Sequence, residues 1–239
     1  MSNEFPIKGV NIAKLPSDYG STGFKMFKGS IINNVEIAYE TWGKLSINND
    51  NAILLFTGLS PSSHAASSEV NKSEGWWEYM IGPNKPIDTN KYFVICCNVL
   101  GGCMGTTGPK EINPKTNLPY GLEFPAITIK DMIKIQKYLI DALEIEKLFA
   151  VIGSSMGAMQ VLQWVIDFPE NVLNALHIAG ALKHSSQNIA FHEVGREAVK
   201  SDPGWAKGEY LTKDQKPERG LAVARMIAHI TYLSEDALQ

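Results

Sequence analysis

Cysteine is scarce in this chain, and what there is lies close together: Cys96, Cys97 and Cys103 are the three among 239 residues. That spacing excludes a disulfide scaffold. With no CxxC pair and no histidine-rich partner it offers no zinc site either, so no metal is expected. Long apolar runs are also missing; none approaches the roughly 20 residues a membrane helix needs. The opening MSNEFPIKGV has neither a charged n-region nor an apolar h-region, so no secretory signal is read there. Nor is there an excess of one charge. The formal net charge is −3, which gives no bulk attraction to nucleic acid. Internal repeats and low-complexity segments are absent. These absences leave neither nucleic acid nor membrane as an expected partner, and a reducing cytoplasm as the expected location. What is present is ordinary globular composition, 44% apolar and 20% charged, enough for one large domain or two small ones.

The first part of the chain reads as strands. KMFKGSIINNVEIAYETWG contains two extended runs around Asn33-Asn34, a turn-prone pair that predicts a β-hairpin. AILLF (52–56), YFVICCNVL (92–100), KLFAVIG (147–153) and LNALHIAGA (173–181) are short continuous apolar runs, as strands buried on both faces require. Helices lie between the later runs. TIKDMIKIQKYLIDAL (128–143) carries Met132, Ile133, Gln136, Leu139, Ile140 and Leu143 at helical spacing, and Thr128 with Asp131 forms an acidic capping box at its start. MGAMQVLQWVIDF follows Ser155 and stops before Pro169. Strands alternating with helices predict an α/β fold with a mostly parallel sheet covered on both faces and right-handed crossovers. After residue 182 the pattern changes. SSQNIAFHEVGREAVKSDP and RGLAVARMIAHITYL read as helices around a polar stretch, with no further buried-strand run. The division expected is a core over 1–182 and a helical lid segment over 183–239.

VIGSSMGAMQ (151–160) carries the chemistry. Gly153-Ser154-Ser155-Met156-Gly157 fits G-x-S-x-G, a weak pattern alone, but here an apolar strand precedes it and an apolar helix follows. Glycines allow the tight turn and close strand–helix packing, which lifts Oγ of Ser155 above the strand ends. The helix beginning at Met156 directs its positive end at the reacting group, and the Met156 N–H can donate to a developing oxyanion. A second donor is expected on FTGLSPSSHAASS (56–68), the loop after the AILLF strand, from the amide of Leu59 or Ser60. The glycine-rich GGCMGTTGP (101–109) matches neither G-x-G-x-x-G nor G-x-x-x-x-G-K and runs into Pro109, so it reads as a shaped loop rather than a phosphate cradle.

These segments, with GWWEYMIGP (75–83), IDTNKYFVICCNVLGGCMGTTGP (87–109), INPKTNLPYG (112–121), FPAITIKDM (124–132), SQNIAFHEVGREA (186–198) and RGLAVARMIAHITYLSEDAL (219–238), resemble the homoserine O-acetyltransferase family along nearly the whole chain. That family consists of α/β-hydrolase-fold acyltransferases of methionine biosynthesis. The resemblance implies that Ser155 is the acyl-accepting nucleophile, with oxyanion donors at the amides of Leu59 and Met156. It maps a substrate-binding arginine onto Arg225 and places Tyr232 in the same pocket. A guanidinium there suits an amino-acid carboxylate, since it can bind bidentately. No bound cofactor is implied; acetyl-CoA or succinyl-CoA serves as co-substrate, and the resemblance allows a homodimer through the lid helices. GSSMGAMQ departs from the family's usual GGSMGGMQ at Ser154 and Ala158. FTGLSPSSHAASS resembles the relatives that acylate serine, whereas GGCMGTTGP resembles the homoserine enzymes, so acceptor and donor both stay open, as does an esterase using the same serine.

A serine nucleophile needs a base and an acid to orient it, in chain order Ser, Asp or Glu, His. His64, His177, His184, His192 and His229 are read as structural or solvated, His177 as a core residue. The family's aspartate and histidine lie beyond Gln239, so neither is assigned here. The expectation is a truncated chain lacking its last strands, inactive by itself, with an exposed sheet edge and apolar surface.

Overall fold

A computed structural model describes residues 8–15 and 23–239. In chain order its strands are β1 (Asn11–Lys14), the short β2 (Phe24–Lys25) and β3 (Ile31–Ile32), β4 (Glu36–Trp42), β5 (Ala52–Phe56), the short β6 (Ile81–Gly82) and β7 (Ile87–Asp88), β8 (Phe93–Cys97), the short β9 (Ile112–Asn113) and β10 (Leu118–Pro119), β11 (Leu148–Ser154) and β12 (Val172–Ile178). The helices are α1 (Ile129–Ala142), α2 (Met156–Asp167), α3 (Ser186–Lys200), α4 (Glu218–Tyr232) and the single turn α5 (Glu235–Leu238).

Six strands form one sheet in the order β1-β4-β8-β5-β11-β12. β1 and β4 are antiparallel to their neighbours, and β8, β5, β11 and β12 run parallel. Every residue of β5 is buried, as its unbroken apolar run requires of a central strand. α2 covers the sheet with Val161 and Trp164, and the Trp164 ring lies 5.7 Å from that of Phe56. α1 buries Ile133, Ile135, Gln136, Leu139 and Ile140. Its capping box forms as the sequence predicts. Thr128 N donates to Asp131 Oδ2 at 2.8 Å, and Asp131 N returns a 3.4 Å bond to Thr128 Oγ1. Asp131 Oδ1 also accepts from Phe27 N at 2.6 Å, tying the β2–β3 hairpin to the helix.

The reversal expected at Asn33-Asn34 falls elsewhere. β2 pairs with β3, Phe24 opposite Ile32, and Met26 N donates to Ser30 O at 2.8 Å. Two turn signals compete, and Gly29, at φ 94°, supplies the left-handed residue without a Cβ penalty. Asn34 does take a positive φ of 54°, but there it hands the chain from the hairpin to β4 in the main sheet.

β12 also departs from expectation. Its apolar run predicts a doubly covered strand, yet it is the sheet's edge among the described residues and mostly exposed, with Leu173, Leu176 and Ile178 at 58%, 45% and 40%. His177, expected in the core, is exposed with it. Beside β12 an apolar cavity of about 480 Å³ is lined by Trp77, Tyr92, Phe149, Ile152 and Leu176, among others.

The chain divides into two compact units, one holding the described residues up to Gly108 with Pro125–Ala181, the other Pro109–Phe124 with Leu182–Gln239. In the second, α3 and α4 approach closely because small residues line their contact. A Cβ on Gly220 would meet Ala198 O at 2.4 Å. No described helix is long and apolar enough to cross a membrane.

An open strand edge flanked by apolar side chains is a template for self-pairing. The chain by itself is expected to associate concentration-dependently, and Leu176→Lys to shift it toward monomer in light scattering. A wild-type chain that stays monodisperse and monomeric at high concentration contradicts this.

Candidate active site

The strand order dictates where a site can form. From β5 the chain crosses to β8 on one side; from β11 it crosses to β12 on the other. A crevice therefore opens beyond the carboxyl ends of β5 and β11, the place where open α/β sheets bind ligands. The two loops leaving those ends are the serine turn and the segment starting at Thr57.

Ser155 caps α2 with φ 57° and ψ −120°, a backbone conformation unusual for a residue with a side chain. It is held there from both sides. Its N–H donates to Ile178 O at 3.1 Å, and its carbonyl accepts from Ala158 N at 3.0 Å as the helix opens. The side chain is exposed while its neighbours are half-buried or buried. Both glycines of the motif are sterically required. A Cβ on Gly153 would lie 2.3 Å from Gly157 O, and one on Gly157 would lie 2.3 Å from Phe56 O. Backbone thus touches backbone between β5, β11 and α2. Ala158, in place of the usual glycine, is fully buried and accommodated.

Across the crevice, Gly58 packs on the elbow: a Cβ there would stand 3.7 Å from Ser154 O and 4.0 Å from Ser155 Cβ. Leu59 follows at once and is 72% exposed. Met156 is the first helical residue, so its N–H has no intrahelical acceptor. The structure therefore brings Ser155, Met156 and the Gly58-Leu59 segment to one crevice. Arg225 and Tyr232 both lie on α4, seven residues and so two turns apart on one face, in the second unit.

Sequence reasoning missed the polar cluster that holds the loop after β5. Glu40 of β4 is 2% exposed. It accepts from Ser63 Oγ at 3.1 Å and pairs with His64 Nδ1 at 2.8 Å. His64 Nε2 meets Ser73 O at 2.9 Å. Asn98 accepts from Ser63 N at 2.7 Å and donates to Met104 O at 2.7 Å, joining this loop to the glycine-rich one. The latter is pinned in turn: Thr106 Oγ1 accepts from Ala38 N at 3.0 Å, and Thr107 Oγ1 from Glu36 N at 2.8 Å. The signal was a carboxylate at an inward position of β4, since Ala38, Glu40 and Trp42 alternate toward the core. Ser73 Oγ lies 3.1 Å from His64 Nε2 but donates its one proton to Asn71 Oδ1 at 2.7 Å. It therefore accepts from the ring, and His64 works as a clamp, not as a base for that serine.

Burial alone would lower the His64 pKa, but its hydrogen bonds to Glu40 and to Ser73 O, with the charges of Glu40 and Glu78, leave it raised above 6.5. Glu78 goes the other way. The Ser67 N–H bond, opposed by desolvation and joined by Gly75 N, Ser67 Oγ and Lys85, draws it from 4.5 to about 2. Cys96 and Cys97 are buried and their thiols pushed up by desolvation, so neither is a nucleophile at neutral pH. Among the described residues no group of three His, Cys, Asp or Glu side chains could hold a metal ion.

Two measurements check this site. The strained φ/ψ at Ser155 costs about 1–3 kcal/mol. Ser155→Gly should therefore raise the melting temperature while removing the hydroxyl; a lowered one contradicts the strain. The clamp also fixes a pH window. Folded His64 holds its proton more tightly, so its contribution is complete below pH 6.5 and lost as pH rises through its raised value. Glu78 contributes fully above pH 4.5 and loses that contribution as pH falls toward about 2. Melting temperature should plateau between those limits, and His64→Gln should flatten the alkaline arm alone; an unchanged alkaline arm contradicts the clamp.

A homoserine O-acetyltransferase of Rhodospirillum rubrum is 55% identical over 216 residues, covering 90% of this chain and 55% of its own length. The chain thus spans about half the length of such relatives. The crystal structure of an esterase superposes with a TM-score of 0.83 at 35% identity, covering 96% of this chain and 63% of its own. That of homoserine O-acetyltransferase from Bacillus anthracis gives 0.81 at 33%, covering 94% and 60%. The family described as alpha/beta hydrolase fold matches residues 51–235. With its parallel sheet, serine elbow and facing loop, the chain belongs to the alpha/beta hydrolase fold family.

Proposed function

We propose that the full-length protein carrying this chain is an acyl-CoA-dependent O-acyltransferase that acetylates the hydroxyl of L-homoserine. The observation that carries this reading is the exposed, strained Ser155 at the switch point, in a chain 52–56% identical to homoserine O-acetyltransferases. Ser155 Oγ attacks the thioester carbonyl of acetyl-CoA. The tetrahedral oxyanion takes hydrogen bonds from the amides of Leu59 and Met156, the carbon–sulfur bond breaks, and coenzyme A leaves with the proton. The homoserine hydroxyl then attacks the acyl-serine, O-acetylhomoserine departs, and Ser155 recovers its proton. Arg225 pairs with the carboxylate of the amino acid, and Tyr232 lines the same pocket. This reading expects the base and its orienting acid in the part of the relatives' length that this chain does not span. The acyl-enzyme must be kept from water until the amino acid attacks. A cytoplasmic location and a homodimer through the lid helices accord with this reading.

Two further readings use the same serine. FTGLSPSSHAASS favours serine as acceptor, with succinyl-CoA or acetyl-CoA as donor. The superposition on an esterase favours simple ester hydrolysis.

The test is an assay of the full-length protein with both donors and both amino acids. Release of coenzyme A should depend on homoserine, and Ser155→Ala should abolish the initial burst of coenzyme A, a loss of at least ~10³-fold in rate. Release that depends on serine instead selects the second reading. Ester hydrolysis with no amino-acid dependence selects the third, and a normal burst from Ser155→Ala removes Ser155 from the chemistry.

A further inference from the structure

Gln160 sits one turn into α2 and is fully buried, at 0% exposure. Its Nε2 donates to Thr57 O at 3.0 Å, and its Oε1 accepts from Gln136 Nε2 of α1 at 2.8 Å. A backbone carbonyl only accepts, so the orientation of both amides is determined by the chain of bonds itself. Thr57 is the first residue after β5, and its carbonyl belongs to the peptide that leads into Gly58. Gly58 lies against Ser154 and Ser155, and the next amide is that of Leu59. A glycine has wide torsional freedom, so the direction of the Leu59 N–H depends on how firmly the preceding peptide is held.

α2 grips that exit twice on one helical face. Gly157 touches Phe56 O through its bare Cα, and Gln160, three residues on, hydrogen-bonds the next carbonyl. The same helix carries Ser155 at its cap and the Met156 amide at its first turn. One rigid element therefore references the nucleophile, one oxyanion donor and the root of the other.

The polar chain is not a stability device. Gln136 Oε1 and Thr57 Oγ1 are buried with no hydrogen-bond partner among the described residues. A half-satisfied buried network is less stable than an apolar pair of the same shape, and replacing both partners together is close to neutral. Two glutamines at positions 136 and 160 thus cost stability that methionines would not.

We propose that Gln160, oriented by Gln136, is a positioning residue that sets the Leu59 amide against Ser155 for the oxyanion. This rests on the acyl-serine reading above and adds to it a determinant outside the G-x-S-x-G turn.

The test is the double variant Gln136→Met with Gln160→Met in the full-length protein, beside Ser155→Ala. The expected result is a melting temperature at or above wild type, a kcat lowered about 10-fold or more, and a KM for acetyl-CoA within about twofold. Such a loss falls below the ~10²–10³-fold of deleting an oxyanion donor, because the amide is displaced rather than removed. A kcat loss at constant KM marks an interaction made only in the transition state, which a merely structural role would not select. A folded double variant with wild-type kcat, or one changed only in KM, overturns the inference. If the double variant does not fold, Gln136→Met alone decides. It frees the Gln160 amide to rotate and should give the same split at smaller size; an unchanged kcat overturns the inference. Activity surviving Ser155→Ala instead brings down the underlying serine reading, so the two failures are distinguishable.

Discussion

The close approach of α2 to the end of β5 is the contact on which the site depends. Gly157 allows it, because any side chain there would occupy the space of the Phe56 carbonyl. With backbone against backbone, the helix N-terminus stands beside the crevice between β5 and β11, and the turn before it is forced into the conformation seen at Ser155. The strain at that residue is the cost of projecting a hydroxyl from between two packed elements. It is borne because β12 and α2 hold the turn from opposite sides, through Ile178 O and the first helical amides.

The opposite rim is built differently. The loop after β5 has no regular structure, so its shape comes from buried polar groups rather than from ladder hydrogen bonds. Glu40, Ser63, His64 and Asn98 form one cluster beneath it, and Glu78 gathers the Ser67 and Gly75 amides further along. Trp42 and Trp76 add indole N–H bonds to its carbonyls at Ala66 and Ser62. A loop made in this way responds to pH, whereas the glycine-packed elbow does not. Gln160 joins the two rims, since it belongs to the elbow helix and bonds the first residue of the loop.

Much of this was legible in the sequence for simple reasons. β5 and β11 are continuous apolar runs bounded by polar residues, and α1 carries both its period and its cap. The elbow was legible because glycines at fixed offsets between a strand and a helix have few other uses. The hairpin reversal was not, because Gly29 and Asn34 both satisfy a turn and only pairing partners decide between them. The sequence predicts a buried β12 because an apolar run reports what a strand is built to face, not whether a neighbour covers it. The clamp escaped because His64 and Glu40 are 24 residues apart and belong to different elements. Arg225 and Tyr232 rest on resemblance, for an arginine on an exposed helix face has no signal of its own.

The central claim is that Ser155 takes the acyl group from coenzyme A. The most direct measurement is mass spectrometry of the full-length protein after mixing with acetyl-CoA and no amino acid. The account predicts a mass gain of one acetyl group, located by digestion on the peptide that contains Ser155 and removed on adding homoserine. An unmodified protein that still forms product, or an acetyl group on any other residue along the productive path, would contradict it.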